Sequence, residues 1–357
     1  SQLTGGDELR SHLAEGSRTL YCGFDPTAES LHIGNMVPLL ALKRFQMAGH
    51  RPIALIGGAT GMIGDPSFKD AERQLKPADV VTEWAEHLKP QLSQFLDFDQ
   101  GDNAALLVNN LDWTRDYDVL SFLRDVGKHF SVNAMIQKES VKQRLETGLS
   151  FLEFNYSLLQ AYDFYVLARD HDCEFQLGGQ DQWGNIVGGV DLVHKAASGD
   201  AFGITAHLIT TASGGKMGKT ADGAVWLNAD RKSPYEYWQF WRNTEDADVG
   251  RFMRLFTELP LDEIARLEAL EGAEINTAKV VLANEATKLL HGEAAAKESE
   301  AAAAAVFAAG GQADALPTVE IATSDLDGGM LVAAAFTAAG LTESNGAARR
   351  LIKQGAA

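Results

Sequence analysis

Between residues 19 and 209, short apolar runs rich in β-branched and aromatic residues alternate with helix-length stretches, and this alternation restricts the fold more than any single motif. The apolar runs fall at residues 19–24, 52–57, 106–108, 173–177 and 204–209. Helical stretches fall at 119–126, 133–145, 156–169 and 184–195, with a further helix after residue 30. The pattern predicts an α/β domain built on a parallel sheet. Ligands of such sheets bind outside the carboxyl ends of the strands, which brings residues 21–25, 57–65 and 178–182 to one place.

The first run carries the densest chemistry. Residues 19–24 read as a buried strand entering a turn at Asp25 and Pro26. Ser30 is the expected N-cap of the following helix, and His32 and Asn35, three apart, would share a face of its first turns beside unpaired backbone N–H groups. A helix start of this kind holds phosphate. Pro38 belongs either in the first turn or at a kink.

The second run leads into Gly57-Gly58-Ala59-Thr60-Gly61-Met62-Ile63-Gly64-Asp65-Pro66, where four glycines in eight residues require a tight turn or a close approach to the backbone. The spacing does not fit G-x-G-x-x-G, which argues against a dinucleotide fingerprint. Asp65 is either a ligand-facing carboxylate or a helix cap. Lys69 and Arg73, four apart on one helical face, either attract phosphates or form a surface pair of cations near Glu72.

Residues 156–163 are apolar nearly all round, as in a buried helix, yet Tyr156, Gln160 and Asp163 fall at i, i+4 and i+7 on one face. Buried polar groups must be paired, because an unpaired one costs about 1–3 kcal/mol. Either the protein or a ligand supplies the partners. Residues 178–185 place two glycines with Gln180, Asp181 and Gln182 where a strand gives way to a helix, which points to a site. Residues 213–220 form a small-residue loop carrying Lys216 and Lys219. Its end, Gly218-Lys219-Thr220, imitates a P-loop, but position 213 is serine where that motif requires glycine, and no apolar helix follows. A twice-basic loop suits a triphosphate.

From residue 233 the pattern is helical, with stretches at 234–241, 247–256, 261–270, 277–290 and 292–309. Residues 1–232 are therefore expected to form one domain and 233–309 a second, all-helical one. Residues 310–327, with little periodicity and Pro317, read as a linker. Residues 328–357 hold two short helical patterns, too few to bury a core alone, and read as a third domain cut short.

Composition bounds the partners. The 357 residues are 45% hydrophobic without any apolar run near the roughly 20 residues of a membrane helix, and no secretory leader is recognisable, so a cytoplasmic protein with no membrane partner is expected. Cys22 and Cys173 lie in separate strands without C-x-x-C spacing, against a disulfide framework or a structural zinc site. The formal net charge of −18 disfavours generic nucleic-acid binding, so any nucleic acid must meet a local basic patch. Lys128, Lys138, Lys142 and Arg144 are one candidate and Arg349, Arg350 and Lys353 another; a solvated helix face is the alternative for each.

Two motifs extend this reading by resemblance. His32-Ile33-Gly34-Asn35 resembles the HIGH motif of class I aminoacyl-tRNA synthetases, and Lys216-Met217-Gly218-Lys219-Thr220 resembles their KMSKS loop. Together with Tyr21-Cys22-Gly23-Phe24-Asp25-Pro26-Thr27, the glycine loop at 57–65, the 156–163 helix and Asp181-Gln182-Trp183-Gly184-Asn185, the chain closely resembles the bacterial tyrosyl-tRNA synthetases over nearly all of residues 1–350. Asn35 stands where the first motif has its second histidine, and Gly218 and Thr220 where the second has serines.

The resemblance implies a Rossmann-like catalytic domain (1–232), a helical anticodon-recognition domain (233–309) and the start of an S4-like RNA-binding module whose opening basic helix would be residues 344–353. It implies activation of tyrosine by ATP to tyrosyl-adenylate, then transfer to the 3′-terminal adenosine of tRNA(Tyr), with no covalent enzyme intermediate. Mg²⁺ would accompany ATP as its counter-ion, with no prosthetic group and no protein metal site. Thr27 and His32 would contact the phosphates, and Lys69, Arg73, Lys216, Lys219 and Thr220 would hold the leaving pyrophosphate. Cys22, Gly23, Asp25, Gly34, Asn35, Gly179, Asp181 and Lys219 fall at ATP-binding positions. Tyr21 and Asp163 would take the substrate phenol, Asp65, Tyr156 and Gln160 its ammonium, and Gln182 its carboxylate, with Gln176 in the same pocket. A homodimer is implied, with an interface around Phe130, Met135 and Phe151. Two other readings share features: a tryptophanyl-tRNA synthetase, against which Tyr21 and Asp163 argue, and a non-catalytic RNA-binding paralogue, against which His32, Lys216 and Lys219 argue.

Overall fold

The structure, a computed structural model, describes residues 2–67, 76–146, 148–197, 199–212, 214, 217, 219–220, 223–309, 319 and 329–353. Five strands, β1 (Thr19–Phe24), β2 (Arg51–Ile56), β3 (Leu106–Asn109), β4 (Cys173–Gly179) and β5 (Phe202–Ala206), form a sheet in the order β3-β2-β1-β4-β5. Every pairing is parallel, as the alternation of elements predicts. Because β2 and β4 flank β1 on opposite sides, the chain order reverses at β1, and a crevice opens there beyond the strand ends.

Apolar side chains cover both faces, as buried parallel strands require. Tyr21, Ile53, Leu55 and Cys173 of the strands share one core with Phe164 and Leu167 of helix Tyr156–His171 and Val190 and Val193 of helix Trp183–Ala196. Helix Ile33–Met47 lies against β1 and β2 and buries Ile33, Met36, Leu39, Leu40 and Leu42.

Several boundaries differ from expectation for physical reasons. The N-cap of helix Ile33–Met47 is His32, not Ser30, whose buried hydroxyl donates to Gln91 Oε1 (3.1 Å) and the Leu31 carbonyl (2.8 Å). Pro38 is the sixth residue of that helix, beyond the first turn, so the Gly34 carbonyl lacks an intrahelical donor. Residues 133–145 are two helices, Val132–Ile136 and Glu139–Leu145, parted at the extended Lys138 (φ −61°, ψ 135°). The last strand of the sheet is Phe202–Ala206, two residues earlier than its apolar run suggests at the start and three at the end. An amphipathic helix at Ala78–Ser93 escaped the pattern reading.

The helical stretches that follow are Pro234–Arg242, Val249–Phe256, Leu261–Glu268, Ile275–His291 and Glu293–Ala309. The first opens with a capping box between Ser233 and Glu236 and with proline at N1, a local sequence signal that sets its start. Trp238, Trp241, Phe252 and Phe256 fill the core of this bundle, with Trp241 and Phe256 ring centroids 4.6 Å apart. Residue 232 is no packing boundary: Ser1–Glu300 form a single compact unit, and the Tyr237 hydroxyl donates to Met36 Sδ at 3.3 Å. The second unit, Ala301–Ala357, contains helices Val332–Ala338 and Asn345–Lys353, which pack on each other. The linker expected at 310–327 lies outside the described residues apart from residue 319.

The basic run around residue 144 is not one continuous patch: Lys128 and Lys142 are exposed, whereas the Arg144 and Lys138 head groups are buried. Arg144, 3% exposed, pairs with Glu153, 1% exposed, at 2.8 Å and also donates to the Gly148 carbonyl. Lys138 Nζ is buried with no hydrogen-bond partner among the described residues. A buried charge left without its partner costs about 3–5 kcal/mol. Glu153→Gln is therefore expected to lower stability to urea by about that amount, and Glu153→Gln with Arg144→Met to recover most of it.

Candidate active site

Three buried polar atoms in the crevice lack partners among the described residues: the Tyr21 hydroxyl, Gln160 Oε1 and Gln176 Oε1. Tyr21 and Gln176 are register partners on β1 and β4, so both side chains leave the sheet on the same face. The Tyr21 ring packs on Phe164 with centroids 5.3 Å apart. Gln160 reaches in from helix Tyr156–His171. Orphaned groups of this kind cost about 1–3 kcal/mol each, so together they mark a place for a ligand bearing donors of its own.

The other two polar residues on that helix face have protein partners. Asp163 Oδ2 accepts from Asn110 Nδ2 at 3.0 Å and Oδ1 from Trp113 Nε1 at 2.9 Å. Asn110 also donates to Thr60 Oγ1 at 3.0 Å, and Thr60 donates to Asp25 Oδ1 at 2.6 Å. The Tyr156 hydroxyl donates to Asp25 Oδ2 at 2.7 Å. One buried network thus runs from Trp113 through Asp163, Asn110, Thr60 and Asp25 to Tyr156. Burial pushes the Asp163 carboxyl up to about 7 despite its two donors. Burial, then the Asp163 charge, raises the Tyr21 phenol well above its ordinary range, and burial with Asp25 does the same for Tyr156.

Asn110, Trp113 and Thr60 were not singled out from the sequence. Their one signal is position: Asn110 and Trp113 follow β3 directly, at a strand end facing the same crevice, and Thr60 sits in the glycine loop after β2. Gly57 is required here because a Cβ would overlap Asp25 Oδ1 and Thr60 Oγ1.

At the other end of the crevice, His32 caps its own helix. Its Nδ1 accepts from Gly34 N–H at 3.0 Å, and Asn35 Oδ1 accepts from His32 N–H at 3.1 Å, a reciprocal box with histidine in the usual place of serine. An occupied Nδ1 acceptor in a neutral ring puts the ring proton on Nε2, making that nitrogen a donor. A Cβ at Gly34 would lie 2.7 Å from His32 Cε1, so only glycine leaves room for the ring.

The remaining candidates divide cleanly. Asp65 Oδ2 accepts from Gln182 Nε2 at 2.6 Å and Oδ1 from Ser67 N–H at 3.0 Å. Gln182 also reaches Asp181 Oδ2 at 3.2 Å, so Asp65, Asp181 and Gln182 form one cluster after β4 and Gly179. Burial and then Asp181 push the Cys22 thiol up to about 12, which keeps it an inert donor. Gly23 ends β1 with Phe24, and the exposed Thr27 follows, its N–H donating to the Asp25 carbonyl at 2.8 Å. Lys69, Arg73 and Lys216 lie outside the described residues; Lys219 and Thr220 form a two-residue strand paired antiparallel with Gly223–Ala224.

The family model for class I tRNA synthetases (W and Y) matches residues 14–308. The tyrosine–tRNA ligase of Novosphingobium aromaticivorans is 53% identical over 358 aligned residues, covering all of this chain and 87% of that one. That of Agrobacterium fabrum is 51% identical, covering all of this chain and 85% of its own length. The chain belongs to the class I tyrosyl-tRNA synthetases. Within the family, a C-terminally truncated mitochondrial tyrosyl-tRNA synthetase of Aspergillus nidulans superposes with a TM-score of 0.78 at 29% identity, covering 86% of this chain and 91% of that one. An archaeal member from Archaeoglobus fulgidus shares the fold, with a TM-score of 0.62 at 15% identity over 84% of this chain and 95% of that one.

Proposed function

We propose that tyrosine lies in the crevice between β1 and β4, with its phenol between Tyr21 and Asp163, and that ATP extends from its carboxylate toward the helix start at His32. The observation that carries this reading is the set of orphaned atoms on Tyr21, Gln160 and Gln176 beside the Asp163 carboxylate. A phenol O–H and an ammonium supply the donors these groups lack. Membership of the family gives the reaction: tyrosine is activated by ATP and passed to its tRNA. The tryptophanyl reading is not favoured, because the relatives at about half identity are tyrosine–tRNA ligases.

In the first step a tyrosine carboxylate oxygen forms a bond to the α-phosphorus, the bond from that phosphorus to the bridging oxygen breaks, and pyrophosphate leaves. In the second, the ribose hydroxyl of the terminal adenosine attacks the tyrosyl carbonyl and AMP departs. Neither step uses a protein nucleophile, so the chain aligns the reactants and stabilises charge on the phosphates. His32, with its donor at Nε2, and Thr27 face that charge in this reading. Lys69, Arg73, Lys216, Lys219 and Thr220 hold the pyrophosphate, a role supported by the resemblance of their segments. Mg²⁺ enters with ATP. Cys22, Gly23, Asp25, Gly34, Asn35, Gly179 and Asp181 border the nucleotide, while Asp65, Tyr156 and Gln160 take the ammonium and Gln182 the carboxylate. Residues 233–309 read the anticodon, the S4-like segment from 328 contributes to tRNA binding, and the enzyme works in the cytoplasm; no helix among the described residues is long and apolar enough to cross a membrane.

Tyrosine-dependent exchange between ATP and labelled pyrophosphate tests the whole reading, and its absence would favour the non-catalytic paralogue. Tyr21→Phe is expected to lower discrimination against phenylalanine by about tenfold, the worth of one hydrogen bond. Lys219→Ala is expected to slow adenylate formation by about 10²-fold with tyrosine affinity unchanged, and an unchanged rate would sink the loop assignment.

Asp163 makes a pH prediction. Its folded-state pKa of about 7 is raised above the ordinary 3.8, so its contribution to folding stability is full below the lower value and lost as pH rises through the upper. Tyrosine binding runs the other way, since the carboxylate is the better acceptor for a phenol. Tyrosine affinity is expected to fall as pH drops below about 7, and Asp163→Asn to flatten that profile in equilibrium dialysis.

A homodimer is also proposed. Val119, Leu120, Val132 and Phe151 are 71%, 78%, 57% and 79% exposed within one stretch of chain that includes Phe130 and Met135. Sedimentation at micromolar concentration is expected to give a dimer; Phe151→Asp should weaken it.

A further inference from the structure

The lysine loop is tied to its surroundings at both ends. Its exit is stitched to the His32 segment: Ile33 N–H donates to the Val225 carbonyl and Leu227 N–H to the Leu31 carbonyl, both at 2.9 Å, around a bridge between His32 and Trp226. Its base is closed by Met217 N–H donating to the Ile209 carbonyl at 3.0 Å. The entry is formed by residues 210–212. It borders a cavity of about 480 Å³ lined by Thr211, Met217, Val225, Gln239 and Phe252 among others.

A neighbouring helix grips the entry. Asp248 directly precedes helix Val249–Phe256, where an aspartate ordinarily caps the helix with its side chain, yet it makes no cap hydrogen bond. Instead Oδ2 accepts from Ala212 N–H at 2.7 Å, while Oδ1 pairs with Arg251, which also donates to the Thr210 carbonyl. Asp248 is 1% exposed, and a buried carboxylate is tolerated only when paired in this way.

The opposite end of the same helix is held by the helix that His32 begins. Arg44, in its last turn, donates to the carbonyls of Arg254 and Leu255 at 2.9 Å and of Thr257 at 3.3 Å, taking up helix-end acceptors that otherwise need water. Lys43 pairs with Glu258 at 2.6 Å. Between the two grips, Val249, Phe252, Met253 and Phe256 are at most 2% exposed, so the helix cannot slide without breaking a packed core.

We propose that helix Val249–Phe256 is a strut that fixes the spacing between the His32 helix and the entry of the lysine loop, with Asp248 and Arg44 as positioning residues for adenylate formation. The contacts close a ring: loop exit to His32, along helix Ile33–Met47 to Arg44, along helix Val249–Phe256 to Asp248, and back to the loop entry. Both segments meet the phosphates in the reading above, on which this inference rests. Freeing either end lets the loop's root shift, and displacements of about 1 Å cost about 10²-fold in rate.

The test uses Asp248→Ala, Arg44→Gln, the double variant, Asp248→Asn and Lys219→Ala in the full chain. Adenylate formation is followed in single turnover and tyrosine affinity by equilibrium dialysis, which also reports the folded fraction. Each single end variant is expected to slow adenylate formation by about 10-fold to 10²-fold with tyrosine affinity unchanged. Asp248→Asn keeps an acceptor for Ala212 and is expected to recover most of the rate. Once one end is free the other has nothing to transmit, so the double variant should be no slower than the worse single. Unchanged end variants alongside a slow Lys219→Ala would overturn the strut, as would a double variant that loses the product of the two. A fast Lys219→Ala would remove the loop's role and the strut with it.

Discussion

Parallel pairing of β1 on both of its edges is the constraint from which the site follows. Only where two strands diverge from a common neighbour do the ends of a parallel sheet leave a gap, and β1 lies at that point between β2 and β4. The register then does the rest. Tyr21 opposite Gln176 places two polar side chains on one face of an otherwise apolar core, and a shift of one residue would turn both to the other face.

Burying so many polar groups requires either full pairing or a ligand, and the crevice uses both. From Trp113 to Tyr156 each hydrogen-bonding group of the network meets another, with carboxylates at Asp163 and Asp25 receiving two donors apiece. Low local polarity makes such a chain strong when complete and costly when broken. Its rigidity sets the position of the atoms left unpaired, which is how a pocket can select a hydroxyl before that hydroxyl arrives. The same burial keeps Cys22 and Tyr21 from ionising.

The helix start at His32 relies on a different device. His32 spends one ring nitrogen on its own helix start, so the orientation of its ring is set by capping, and Gly34 is the residue that allows it. The loop carrying Lys219 is then tied to that helix start directly at its exit and through helix Val249–Phe256 at its entry. Helical residues 233–300 therefore pack as one unit with the sheet, which is why the boundary suggested by the change of pattern is not a boundary in packing.

Much of this was legible in the chain itself. Apolar period, glycine clusters and polar residues at i, i+4 and i+7 located the sheet, the crevice and the buried polar face of helix Tyr156–His171, because those signals depend only on neighbours in sequence. Motif resemblance named the chemistry that spacing could not. What pattern could not show was which buried polar group has a partner: Asp163 and Tyr156 are satisfied by Asn110, Trp113 and Asp25, while Gln160 Oε1 has none among the described residues. Nor could it show that Ser30 turns inward to Gln91, that Arg144 is buried against Glu153, or that Asp248 grips Ala212 instead of its own helix. The sequence by itself determined the elements, their order and the residue types available at the strand ends. Only the tertiary structure decided the pairings, because a hydrogen bond between residues tens of positions apart depends on how the elements pack and leaves no periodic trace in the chain.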